Sequence, residues 1–587
     1  MRRAYHVTAH PRTSTGARMT SPAAAPFVPA DLDAADWASV SPLFEALLQR
    51  EVDGPDAFGR WLADRSELDA ACGEAHAVLY IAMTRRTDDK AAADAYTRFV
   101  REVEPELRKA SFTLDRRQAE LHGRIPLDPD RYAVLERDVR NEVALFREEN
   151  IPVETELTLL AQKYEETMGA MTVEFEGEER TLPQMARYTE KTDRALRESA
   201  WRAVAARRMQ EADNLDALFE SMLPLRQKVA HNAGFADYRD YAFRARRRFD
   251  YSPDDCAAFH EACATVVTPL CRRLDAQRRT ALGVDPLRPW DLAVDVQGRD
   301  PLRPFEGAEA LVDACAALFN CMDPDLGAMF ESLREGDCLD LETRKGKAPG
   351  GYQYMRDRSR KPFIFMNAAG MHHDVRTMIH EAGHAFHSLL CADEPLVHYR
   401  HTGAEFAEVA SMSMELLTMD RWSAFYPDTE DEARAVREQL EGVVSVLPWV
   451  AQVDAFQHWV YTNPGHTREQ RHAHWVALDE RLGRGVSWEG LARERARTWQ
   501  RQLHIFTLPF YYIEYGIAQL GALQLWLRAR TEGDGAALRA YKHALSIGGA
   551  KPLPELFGAA GLDFDFGPDN VARLADEVER TLESLPA

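Results

Sequence analysis

From Asp31 to about Ala170 apolar and charged residues alternate at helical spacing, as in DAFGRWLADRSELDAACGEAHAVLYIAM, and predict long amphipathic helices. MTVEFEGEERTLPQM (residues 171–185) breaks that pattern. Val173 and Phe175 alternate with charge, Gly177 supplies a turn and a polar return follows, which predicts a small β-hairpin. Helical patterning resumes in DRALRESAWRAVAARRMQEADNLDALFESML and continues to about Leu282. Pro286, Pro289, Pro301 and Pro304 mark an irregular segment around RPWDLAVD. GGYQYMRDRSRKPFIFMN (350–367) ends in a short β-prone run, PFIFMN, immediately before another helical stretch. The fold class expected from this pattern is mainly α, with small β elements.

The chain has 587 residues, long enough for a large helical body with sub-domains and a deep cavity. Its apolar runs are far too short for a membrane-spanning helix, so no membrane is expected as a partner. A formal charge of −22 repels a phosphate backbone over most of the surface, which argues against nucleic acid. The eight cysteines are dispersed, with no CxxC pair, and fit small buried thiols in a reducing, cytoplasmic location. Residues 1–30 are rich in Ala, Arg, Ser, Thr and Pro and lack the apolar core of a secretory signal. They predict a tail without packed structure, or a start site at Met19.

The helical stretch after PFIFMN reads DVRTMIHEAGHAFHSLL. An HExxH pattern arises by chance about 0.05 times in a chain of this composition, too often to stand alone. Its helical placement adds weight. With Asp374 as the cap of a helix from Val375 to Leu390, the residues Val375, Met378, Ile379, Ala382 and Phe386 form one apolar face. His380, His384 and His387 fall on the other. The i, i+4 spacing lets His380 and His384 converge on one Zn²⁺, while Glu381 points beside it, where a carboxylate can accept a proton from an attacking water. Gly383 within this helix costs about 1 kcal/mol against Ala, which predicts close approach by another element. His387 is expected to pack rather than ligate, and His372 and His373 to lie in the loop before the helix.

A catalytic zinc site needs a third protein ligand. TGAEFAEVASMSMELL (402–417) reads as a second helix with Glu408 and Glu415 seven residues apart on one face, and Glu405 about 60° from Glu408. By spacing, Glu405 and Glu408 are both candidates, and Glu415 is either an acceptor for a ligating imidazole or a solvated charge. HIFTLPFYYIEYGIAQLGALQLW (504–526) places His504 upstream of Tyr511, Tyr512 and Tyr515, which read as core aromatics or as donors for a tetrahedral oxyanion. Tyr512 and Tyr515, three apart, can share a helix face.

Taken together, EFEGEERTLPQM, DRALRESAWRA, RPWDL, GGYQY, PFIFMN, DVRTMIHEAGHAFH, AEFAEVASMSMELL and PFYYIEYGIAQLGA resemble the M3 peptidase family, nearest its bacterial oligoendopeptidase F branch, from about residue 120 onward. The resemblance implies a two-lobed helical zincin around a deep channel, with residues 31–200 as an N-terminal lobe and 201–587 as the catalytic region. It implies one Zn²⁺ held by His380, His384 and Glu408, with Glu381 as general base and His504, Tyr512 and Tyr515 on the substrate side. Gly350 and Gly351 would begin a segment lining the cleft, and PFIFMN could pair with an extended substrate. The implied activity is hydrolysis of internal bonds in short unstructured peptides. Removal of C-terminal dipeptides, or zinc-dependent peptide binding without turnover, are the alternatives.

Overall fold

The computed structural model describes residues 26–86, 88–344, 347–348 and 350–586; residues 1–25 of the expected tail lie outside it. Six helices position the site and are numbered in chain order: α1 (Pro55–Arg85), α2 (Arg194–Asn232), α3 (His372–Leu390), α4 (Ala404–Leu417), α5 (Thr429–Thr462) and α6 (Ile513–Glu532). The body is mainly helical, as the 3.6-residue pattern requires. Among the described residues no helix is long and apolar enough to cross a membrane.

Two large apolar cores, with two small clusters beside them, organise the described residues. One gathers Val40, Phe58, Trp61, Leu114 and Val139 of the N-terminal helices and reaches the rest of the body through Leu396 and Tyr399. The other is far larger and takes in α3, α4, α5, α6 and, from residues 341–368, Leu341, Ile364, Met366 and Ala368. Helix α2 runs without interruption through residues 200 and 201, the boundary expected between an N-terminal lobe and a catalytic region. Asp193 caps it by accepting from the N–H groups of Ala195 and Leu196.

The expected hairpin is present as β1 (Thr172–Phe175) and β2 (Glu178–Thr181). Its two turn residues, Glu176 and Gly177, have φ of 54° and 80°, as a two-residue turn with two left-handed positions demands. A second sheet has the order β3 (Leu339–Glu342), β5 (Lys361–Ala368), β4 (Tyr352–Arg356), with β3 parallel and β4 antiparallel to β5. PFIFMN therefore forms the central strand. Its backbone is occupied on both sides, so it offers no edge to a peptide; the edge strand nearest the helix with HEAGH is β4.

All eight cysteines are free thiols; seven are buried and Cys321 is exposed.

Candidate metal centre

Helix α3 starts at His372, one turn earlier than Asp374 as a cap would place it. Asp374 instead sits in the first turn and accepts from the N–H groups of Met371 (2.9 Å) and Ala369 (2.8 Å), closing the end from inside. His372 and His373 are thus helical. His372 is buried, with Nδ1 2.6 Å from the Tyr426 hydroxyl. The predicted apolar face of α3 is fully enclosed at Val375, Met378, Ile379, Ala382 and Phe386.

Helix α4 lies tight against the opposite side of α3. A Cβ at Gly383 would stand 2.6 Å from Ser411 Cα and 2.8 Å from Ala410 O, so only glycine permits the two backbones to approach this closely. That approach brings ligand atoms of His380, His384 and Glu408 within 4.8 Å of one another. Glu408 Oε2 is 3.3 Å from His380 Nε2 and 3.7 Å from His384 Nε2. Burial opposes ionisation of Glu408, but the paired imidazoles and the Ser411 hydroxyl outweigh it and hold the carboxyl at about 2. Glu405, one turn away, points elsewhere and accepts from the Tyr251 hydroxyl at 2.8 Å.

Glu415 is buried rather than solvated. Its Oε1 lies 2.7 Å from His380 Nδ1, and Gln439 donates to its Oε2 at 2.9 Å. His387 faces Phe406 with Nε2 unpartnered, and burial lowers its pKa to about 3; it packs, as expected. Glu381 is buried beside the trio, and burial pushes its pKa up to about 7. The His380 charge opposes that rise and the Glu408 charge adds to it, while a hydrogen bond from the Gln353 backbone of β4 lowers it. The sheet edge and the acid therefore adjoin.

A wall of aromatic groups closes the site. The run after His504 is not one helix: a short helix ends at Thr507, Phe510 takes a left-handed φ of 64°, and α6 begins only at Ile513. This turn swings Tyr511 inward, where its ring stacks on His504 with centroids 5.5 Å apart and its hydroxyl lies 3.4 Å from Glu408 Oε1. Tyr515 stands 5.4 Å from Tyr511, ring to ring. Tyr512 packs on His504 too, at 5.0 Å, but its hydroxyl is turned toward Trp449 and Gln502. Sequence spacing paired Tyr512 with Tyr515; it is Tyr511 whose hydroxyl reaches the ligand set.

The protonation of His504 follows from its neighbours. Trp449 Nε1 can only donate and does so to Gln502 Oε1 at 3.0 Å, which turns Gln502 Nε2 onto His504 Nδ1 at 2.8 Å. Nδ1 must then accept, and Nε2 carries the proton. Burial and the Arg246 charge lower the pKa of this imidazole to about 4, so it is a neutral donor. No sequence pattern singled out Gln502 or Trp449.

Two imidazoles, a carboxylate and an adjacent acid on two crossing helices lie within a stretch of the chain that a known family matches. Residues 187–571 fit the family model of peptidase family M3. The chain belongs to that family. Group B oligopeptidase PepB of Streptococcus agalactiae is 22% identical over 329 residues, covering 54% of this chain and 53% of its own. Oligopeptidase PepF of Bacillus subtilis is 23% identical over 323 residues, covering 54% and 47%. The chain thus matches about half the length of these curated relatives. The structure of PZ peptidase A with an inhibitor superposes with a TM-score of 0.85 at 27% identity, over 94% of this chain and 98% of the other.

The donor set of this M3 chain fits a zinc ion: two neutral-capable imidazoles at i, i+4, one carboxylate from a second helix, and a buried acceptor on the far nitrogen of His380.

Proposed function

We propose that this chain is a zinc metalloendopeptidase that cuts internal bonds of short, unstructured peptides. The observation that carries the reading is the convergence of His380, His384 and Glu408 with Glu381 alongside them and the β4 edge adjoining. His380, His384 and Glu408 would hold the ion. Zinc bound there supplies Lewis acidity, acidifying a water ligand and polarising a carbonyl.

The remaining chemistry belongs to the protein. Glu415 keeps the proton of His380 on Nδ1 and frees Nε2 for ligation. Glu381, enclosed and with its pKa raised toward neutrality, takes a proton from the attacking water and passes it to the departing amine. His504 Nε2 and the hydroxyls of Tyr511 and Tyr515 donate to the oxyanion as the carbonyl becomes tetrahedral. The outer edge of β4 orients the peptide backbone by strand pairing, the role first expected of PFIFMN.

The test is incubation of the purified chain with a library of 5- to 20-residue peptides, with and without chelator, and identification of products by mass spectrometry. Internal cuts abolished by chelator and restored by Zn²⁺ are expected. Uniform loss of C-terminal dipeptides would replace the endopeptidase with an exopeptidase, and intact peptides despite bound metal would remove the catalytic reading.

A further inference from the structure

Behind the aromatic wall, between α2, α5 and residues 479–501, lies a cavity of about 240 Å³. At about 10–15 Å³ of such volume per water it accommodates on the order of twenty waters. Trp201, Trp449 and Trp488 line it, so part of its surface suits an apolar side chain. Its charge is the opposite of the chain's. Four arginines and two carboxylates face it, in a protein of formal charge −22.

The arginines are not all accounted for. Arg484 is held by Asp275 at 2.9 Å, and Asp479 is taken up by Arg495 at 2.5 Å. Arg497 pairs with Asp213 at 3.9 Å and donates to the Arg493 carbonyl at 3.5 Å. Arg208 and Arg501 have no ion pair among the described residues. Arg208 Nε is buried without a hydrogen-bond partner, and Arg501 stacks over the Trp449 ring at 4.8 Å. Burial, with the Arg208 charge acting in the same direction, lowers the pKa of Arg501 to about 10. Burial also lowers that of Arg208. Two cations facing one cavity, with Gln452 Nε2 buried and unpartnered on the same lining, present donors and positive charge that no ion pair among the described residues receives.

The cavity adjoins the reaction site through one short relay. Trp449 lines the cavity and fixes Gln502, which in turn fixes His504. The sense of the charge indicates what belongs there. We infer that this cavity is a substrate subsite in which Arg208 and Arg501 receive a carboxylate of the bound peptide while the tryptophans enclose the side chain beside it. The inference rests on the peptidase reading above and specifies its substrate. Two sources of carboxylate exist, and they have different consequences. An α-carboxylate seated here fixes the cut at a constant number of residues from the C-terminus; an acidic side chain fixes it relative to that residue instead.

The test uses the full chain loaded with Zn²⁺ and three six-residue peptides: one sequence without acidic side chains as its C-terminal acid and as its C-terminal amide, and that amide with its last residue replaced by Asp. The acid is expected to be cut with kcat/KM at least tenfold above the amide. Arg208→Gln and Arg501→Gln should each shrink that ratio, the double variant should bring it near one, and Arg501→Lys should restore part of it. If the amide ending in Asp recovers the rate, the seated group is a side chain; if it does not, it is the terminus. Equal cleavage of all three peptides by the unmodified chain overturns the subsite and leaves the peptidase reading standing. So does a preference that the arginine variants do not change. A second measurement needs no turnover: calorimetric titration of the zinc-loaded Glu381→Gln variant with the same peptides. Tighter binding of a carboxylate form, lost on adding Arg501→Gln, supports the subsite even if nothing is cleaved. Binding without preference removes it.

Discussion

His380 Nδ1 and Glu415 Oε1 stand 2.7 Å apart across the gap between α3 and α4. Within that pair only the imidazole can donate, so Nδ1 carries a proton, and loss of the second proton from Nε2 is what would free a lone pair toward a cation shared with His384 and Glu408. Burial opposes protonation of His380, but the two carboxylates raise its pKa well above the ordinary value when no cation is present. Glu415→Gln should therefore keep the fold and weaken zinc binding about 10–100-fold. Competition against a chromogenic chelator measures this, and unchanged affinity would mean that Glu415 does not orient the ligand.

Glu381→Gln preserves shape and removes the acceptor. Zinc content and thermal midpoint should match the parent, while kcat on a cleavable peptide falls by about 10²–10⁴. Normal turnover by this variant would assign the proton transfer to another group.

Gly383→Ala weighs helix propensity against packing. Alanine favours the helix by about 1 kcal/mol. Its Cβ meets backbone atoms of Ser411 and Ala410, which cannot rotate aside, and such overpacking costs about 1–3 kcal/mol. The net effect should be a lower melting temperature together with weaker zinc binding, because the helix separation sets the distance from the imidazoles to Glu408. A more stable, fully metallated variant would contradict the tight crossing.

Tyr511→Phe and Tyr512→Phe separate the two aromatic readings. The Tyr511 hydroxyl is 3.4 Å from Glu408, whereas that of Tyr512 is directed at Trp449 and Gln502. Loss of an oxyanion donor costs about 10²–10³ in kcat, so Tyr511→Phe should show that loss with zinc retained and KM little altered. Tyr512→Phe should change kcat much less. Equal effects, or the reverse order, would return the role to Tyr512.

Acid stability should depend on Asp340, which ties α1 to the sheet. Burial opposes its ionisation, yet Arg344, Lys347 and Arg85 outweigh burial and hold its carboxyl far below the usual range. Lys347 Nζ is 2.9 Å and Arg85 Nε 2.8 Å from its oxygens. A depressed carboxyl contributes stability that is fully present above its unfolded pKa of about 3.9 and is lost as pH falls through that value toward the folded one. Asp340→Asn should lower the melting temperature at pH 7 and flatten its fall between pH 5 and 3. A parallel curve would show that this cluster does not govern acid unfolding.

Local pattern alone determined much of this protein. The spacing of HEAGH and of Glu408 with Glu415 on helices, the apolar face of α3, the 171–185 hairpin and the glycine at the helix crossing were all legible. Each depends on a repeat of 3.6 or 2 residues, or on the missing Cβ of a single residue. Tertiary structure decided the rest. It turned Glu408 toward the imidazoles and Glu405 toward Tyr251 through the crossing of α4 on α3, the arrangement that the family resemblance implied and that spacing left open. It made PFIFMN a central strand, since pairing partners from 339–342 and 352–356 occupy both its edges. The left-handed turn at Phe510 brought Tyr511 into the site, and Gln502 and Trp449 fixed the proton of His504 from 2 and 55 residues away. Periodicity reports which face of an element is buried; only the packed chain decides what that face meets, because those contacts join residues whose separation in sequence has no period.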